Sequence, residues 1–275
     1  MPHLDRNDHP RLHYVIDDYT DPWKNAPYLV LQHGNGRSHR FWYSWVPYLS
    51  RHYRVIRPDV RGLGGSAAGF DLSRTFTLEH CVDDLLAIID SVGADSVHVC
   101  GESMGGMIGI GLAALHPERV RTLTLVSTPV YVNEKGKVDF SADGKTGRSV
   151  DAWLEASNRG MRFPSHADPG LVAWYNEEFK RGRRDVQAAM GELVNRADTT
   201  SYLSRVRVPV LGLYPQAGPL TTPEQEATLK QHMPQMRIVH LPADYHKIQL
   251  MFPAACAKHL LHFVAQHDGI TCRES

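Results

Sequence analysis

An α/β fold with a mostly parallel, doubly wound sheet and a helical insertion is predicted by three features of this sequence. Short apolar runs ending in turn residues recur through the first half. Helical patterns fill the gaps between them, and the strand signal vanishes over residues 130–205 before it returns. Parallel strands need crossover connections, and helical crossovers cover both faces of the sheet they join.

The elements follow in chain order. Tyr28–Gln32 (YLVLQ) ends in HGNG and residues 53–57 (YRVIR) end in PDVRGLGGS, so both read as buried strands that stop at turn chemistry. Between them, FWYSWVPYLS predicts a helix interrupted by Pro47. Thr77 can cap a helix over LEHCVDDLLAIIDSV, where Leu78, Val82, Leu85, Leu86 and Ile89 keep the helical period and Gly93 closes the end. Residues 96–100 (SVHVC) form the next strand, Met104–Leu115 the next helix and residues 121–126 (RTLTLV) the next strand.

Residues 130–205 then carry helix-like groups built on Trp153 and Leu154, on Leu171, Trp174, Tyr175 and Phe179, and on Val186, Met190, Leu193 and Val194. They read as a helical insertion into a core made of 1–129 and 206–275. Pattern resumes with a strand at 208–214, a helix after Pro223, a strand in MRIVHL, the loop PADYH and a closing helix over 253–266.

At 275 residues the chain can bury roughly three quarters of its unfolded surface, enough for a well-formed pocket. Its 30 basic and 30 acidic side chains cancel, so nothing electrostatic points to nucleic acid or a membrane surface. The opening thirty residues carry charges throughout without a signal-peptide core, and no stretch suits a membrane span. Cys81, Cys100, Cys256 and Cys272 lack CxxC spacing, which favours free thiols in a reducing compartment. A cytoplasmic protein is expected, whose partners are a small-molecule substrate and, at most, further copies of itself.

The chemistry lies where SVHVC runs into Gly101, Glu102, Ser103, Met104, Gly105 and Gly106 and then into an apolar helix. A lone GxSxG is weak, since an ordinary glycine turn reads the same way. Between a strand and a helix it describes an elbow that lifts the serine hydroxyl above the sheet and sets it at a helix N-terminus, where N–H groups favour an oxyanion. HGNG follows an upstream strand, so a backbone N–H near Asn35 can join that of Met104 in holding the oxyanion. His246 falls between the last strand and the last helix, and the order serine then histidine also fits.

HGNG, DVRGLGGS, CGESMGG and the late PADYH loop, in this order and spacing, resemble the α/β-hydrolase superfamily across nearly the whole chain. The resemblance implies an eight-stranded sheet with residues 130–205 as a cap after the sixth strand, Ser103 as nucleophile and His246 as general base; the function expected on that basis needs no cofactor, and no HExxH or other ligand cluster points to a metal. One position departs from the pattern. The acid that orients the histidine is expected near Gly218, in LGLYPQAGPLTTPEQ, and its alternative place is held by Ser127; neither can carry charge. Glu224, Asp244 and Glu102 are the other candidate carboxylates. Glu224 is expected as a first-turn helix charge, Asp244 is awkwardly close along the chain, and Glu102 either lines the pocket or hydrogen-bonds beneath the elbow.

Remaining signals have plainer readings. Gly62, Gly64 and Ala67 spell GxGxxA after a strand, but no helix follows to hold a phosphate. Asp59 and Arg61 in that loop are expected to be structural. His259 and His262 lack further ligands nearby, and Lys180, Arg181, Arg183 and Arg184 suit a solvated face, with attraction of an anionic substrate as the alternative. The expected function is cleavage of a small, largely apolar ester, lactone or amide through an acyl-Ser103 intermediate. Carbon–carbon bond hydrolysis or a lyase reaction is the enzymatic alternative, and a receptor-like ligand-binding protein the non-enzymatic one.

Overall fold

The computed structural model describes residues 2–7, 9–139, 147–159 and 161–270; Cys272 lies outside them. Its strands are β1 (His3–Leu4), β2 (Leu12–Asp17), β3 (Tyr28–Gln32), β4 (Arg54–Pro58), β5 (Val97–Glu102), β6 (Val120–Val126), β7 (Val210–Pro215) and β8 (Arg237–Leu241). Helices α1 (Val46–Leu49), α2 (Leu78–Ser91) and α3 (Met104–Leu115) join the early strands. After β6 the described residues form α4 (Val150–Asn158), α5 (Pro169–Lys180), α6 (Arg184–Arg196) and α7 (Thr200–Leu203). The chain closes through α8 (Pro223–His232), α9 (Ile248–Met251) and α10 (Pro253–Asp268).

The sheet order is β1-β2-β4-β3-β5-β6-β7-β8, antiparallel at β1–β2 and β2–β4 and parallel from β4 to β8. Successive side chains of a strand point to opposite faces, and β3 shows the consequence. Val30 joins a core with Ile56, Val82, Leu85 and Ile110, while Leu29 and Leu31 join another with Trp42, Trp45, Leu260 and Val264. Both faces are therefore covered, as the strand–helix alternation predicts.

Thr77 Oγ1 caps α2 by accepting from His80 N, and Gly93 takes a positive φ just past its end. FWYSWVPYLS is not one helix. It is a 3-10 turn at His39–Trp42 followed by the short α1, with Pro47 in the first turn, where its missing N–H costs nothing. Among the strands, the first two are those that sequence pattern did not supply, because β1 has two residues and β2 mixes polar with apolar side chains at the sheet margin; the four-residue helices α7 and α9 were not read from sequence either. Among the described residues no helix is long and apolar enough to cross a membrane.

Candidate active site

Ser103 ends the β5–α3 turn with φ 54° and ψ −121°, one of two non-glycine residues with positive φ among those described. That strain turns the chain sharply from strand into helix. The turn fits only because position 105 lacks a side chain: a Cβ on Gly105 would collide with the carbonyl oxygens of Gln32 and His33. The same closeness shapes HGNG, since a Cβ on Gly34 would run into the Glu102 carboxyl group and backbone. His33 pins this loop, with Nδ1 bonded to Gly34 O at 2.8 Å and Nε2 accepting from Val60 N at 3.1 Å.

Asn35, Ser103 and His246 line one small cavity of about 30 Å³ together with Pro129, Val132, Asn133, Gly136, Arg162, Val194, Leu220 and Lys247. Met104 follows Ser103 as the first residue of α3, where a helix leaves its N–H groups without internal partners. Three of the four residues expected from sequence thus share one cavity, and Met104 adjoins it only through its neighbour Ser103. Asn35 Oδ1 is buried without a hydrogen-bond partner among the described residues, and no hydrogen bond links Ser103 to His246.

Burial, reinforced by the neighbouring Lys247 and Arg162, holds the His246 pKa well below its ordinary 6.5, so the imidazole is neutral at physiological pH. Its loop is fastened to the cap side by two backbone bonds, His246 N to Met161 O at 2.8 Å and Lys247 N to Arg162 O at 3.0 Å.

No carboxylate hydrogen-bonds His246 among the described residues. Gly218 is half-buried in the turn after β7, Ser127 is buried with φ 44°, and Asp244 and Glu224 are exposed. Glu224 begins α8, the first-turn position expected for it. Glu102 comes nearest, with Oε1 3.4 Å from His246 Nε2, but that oxygen is taken at 2.5 Å by Lys247 Nζ. With His246 neutral, the Lys247–Glu102 contact is the ion pair and the histidine contact is not.

Three buried cations were not picked out from sequence. Lys247 adjoins His246, Arg37 follows HGNG, and Arg162 enters from the stretch between α4 and α5; position beside a motif was the available signal for the first two. Tyr175 on α5 gathers them: Arg37 stacks 3.3 Å from its ring centre, Arg162 Nη1 donates to its hydroxyl at 2.9 Å, and Lys247 Nζ lies 5.5 Å from the ring centre. Burial raises the Tyr175 pKa, but Arg162, Arg37 and Lys247 outweigh it and bring the phenol down to about 8.

Asp59 and Arg61 are structural, as expected. Asp59 accepts from His13 Nδ1 at 2.7 Å, His39 N at 2.5 Å and Gly65 N at 2.8 Å, while Arg61 Nε and Nη2 both bond Asp84 at 2.6 Å. His13, His39 and Asp59 are also close enough to surround a metal ion, but these hydrogen bonds already occupy the carboxylate oxygens. The basic run is exposed, and three of its four members are paired, Lys180 with Asp151, Arg181 with Glu178 and Arg183 with Asp185. A larger concavity of about 1180 Å³, lined by His13, His39, Tyr43, Arg57 and Trp174, contains none of the four expected site residues.

Comparison with known proteins agrees with this architecture. Residues 27–141 match a family model described as the alpha/beta hydrolase fold; the match spans Asn35 and Ser103 and stops short of His246. The chain is 30% identical over 241 residues to a strigolactone esterase of Arabidopsis thaliana, covering 84% of this chain and 90% of the relative. It is 28% identical over 244 residues to a pimeloyl-[acyl-carrier protein] methyl ester esterase of Nitrosomonas europaea, covering 83% and 92%. Among solved structures, an enol-lactonase from Burkholderia xenovorans superposes with a TM-score of 0.83 at 27% identity, covering 96% of this chain and all of that one.

Proposed function

The chain belongs to the α/β-hydrolase superfamily of enzymes, and on that premise we propose that it is a cofactor-free serine hydrolase cleaving a small ester, lactone or amide through an acyl-Ser103 intermediate. The observation that carries the proposal is the strained backbone of Ser103 at the mouth of α3, facing the cavity that it shares with His246 and Asn35. Pro129, Val132, Val194 and Leu220 give that cavity apolar walls, which supports a substrate whose reacting part is largely apolar.

A serine hydroxyl attacks a carbonyl only when a base takes its proton. Neutral His246 accepts it and returns it to the leaving group, while the Asn35 and Met104 N–H groups hold the tetrahedral oxyanion, about 3 to 4 kcal/mol for each donor. Water then clears the acyl-enzyme. Without an orienting carboxylate the rate is expected to be modest, because losing that acid costs roughly 10⁴-fold in a serine protease. The missing acid also favours a second reading, a ligand-binding protein with little turnover.

Fluorophosphonate labelling followed by peptide mapping separates the two. The expected result is a single adduct on Ser103 that disappears in Ser103→Ala. A folded protein that takes no label there, with His246 intact, would exclude the acyl-enzyme.

A further inference from the structure

Charge around the Ser103 cavity does not balance. Arg37, Arg162 and Lys247 are 2%, 7% and 2% exposed, yet Glu102 is the only carboxylate paired with any of them among the described residues, and Lys247 holds it. Glu178, on the same helix as Tyr175, is committed to Arg40 at 3.1 Å and Arg181 at 3.0 Å. The two guanidinium groups rest on neutral acceptors instead: Arg37 Nη1 on Tyr175 O at 2.6 Å, and Arg162 Nη1 on the Tyr175 hydroxyl. Arg37 Nε, Arg37 Nη2 and Arg162 Nε are buried with no hydrogen-bond partner among the described residues.

An unpaired buried charge is strongly unfavourable in a folded protein. Two such charges beside one reactive serine make sense if the missing negative charge arrives with the ligand. Arg162 lines the cavity itself, together with Ser103 and His246, whereas Arg37 lies across the Tyr175 ring. A planar carboxylate matches a free guanidinium edge, and such charge-assisted bonds are short and strong when desolvated.

Resting on the reading of Ser103 as nucleophile, we propose that the substrate carries a carboxylate on its acyl portion, held by Arg162 with Arg37 and Lys247 supplying further positive potential. The substrate is then a half-ester, half-amide or lactone of a short dicarboxylic acid: apolar where it meets Val132, Val194 and Leu220, and anionic at the far end. Arg162 is bonded through its backbone to Lys247, next to His246, so the group that binds the anion and the group that moves the proton are tied to one loop.

The test compares monomethyl glutarate with methyl hexanoate, an uncharged ester of similar length, and extends to the monomethyl succinate and adipate chains. Ester hydrolysis is followed by acid release, and binding to Ser103→Ala by calorimetry. At the best chain length kcat/KM is expected to favour the anionic ester at least tenfold, mainly through KM, and Ser103→Ala to bind it at least tenfold more tightly. Arg162→Gln should collapse both preferences, and Arg162→Lys should keep part of them, which separates charge recognition from damage to the fold. Equal handling of charged and neutral esters by the unmodified protein, in binding and in turnover, would overturn the proposal. Selective anion binding without turnover would sustain it while sinking the acyl-serine mechanism, and turnover without anion preference would do the reverse.

Discussion

Lys247 controls two neighbours at once. It neutralises Glu102 through a contact between side chains 145 residues apart in sequence, and its positive charge helps keep the proton off His246. The acid limb of kcat/KM for the free enzyme is therefore expected below pH 6.5, since the base form of His246 persists to lower pH than an ordinary imidazole. In Lys247→Met that limb should move upward, because a cation that opposes protonation of the ring is lost. A limb that stays in place would mean that Lys247 does not act on His246. Glu102→Gln leaves Lys247 buried without its counter-charge, so unfolding in urea should show a loss of about 3 kcal/mol or more.

Secondary structure was legible wherever local chemistry decides it. The period, cap and closing glycine of α2 and the strand-to-helix turn before α3 are properties of neighbouring residues, and both helices begin where those residues say. Thr77→Ala should cost about 1 kcal/mol of stability through the lost cap. The elbow is stricter. Gly105→Ala drives a methyl group into the β3 backbone, so a loss of about 3 kcal/mol or more is expected, and the melting temperature should fall by about 6 °C or more. A variant melting with the parent protein would show that β3 and α3 can separate freely. Elements whose existence depends on a distant partner were harder to read: β1 is a strand because β2 lies beside it, and the HGNG loop keeps its shape because His33 is held by the backbone beyond β4.

At the scale of the whole molecule, three buried histidines connect the fold to pH. Burial lowers the pKa of His33, of His246 and of His98, the last to about 4 despite its contact with Asp268. Each is neutral when folded, whereas the unfolded chain takes up protons as pH falls through the ordinary value of 6.5. Stability is thus fully present above that value and declines below it, by up to about 1.4 kcal/mol per pH unit for each group, continuing for His98 until about pH 4. Urea midpoints measured at about pH 7 and about pH 5 should show this drop. Equal midpoints would mean that the rings are charged in the fold.

By itself the sequence determined the parts of this protein that depend on backbone chemistry over a few residues: the alternation of strands and helices, the elbow at Ser103, the HGNG turn, the position of His246 and the lack of a carboxylate at Gly218. Only the tertiary structure decided what surrounds them. Arginine and lysine read along a chain as solvated surface, because nothing local reveals that Arg37, Arg162 and Lys247 will be buried against one tyrosine. Nor does Glu102 reveal that its partner will be Lys247 rather than His246. Burial and pairing are set by contacts across the whole chain, and the electrostatics of the site follow from them.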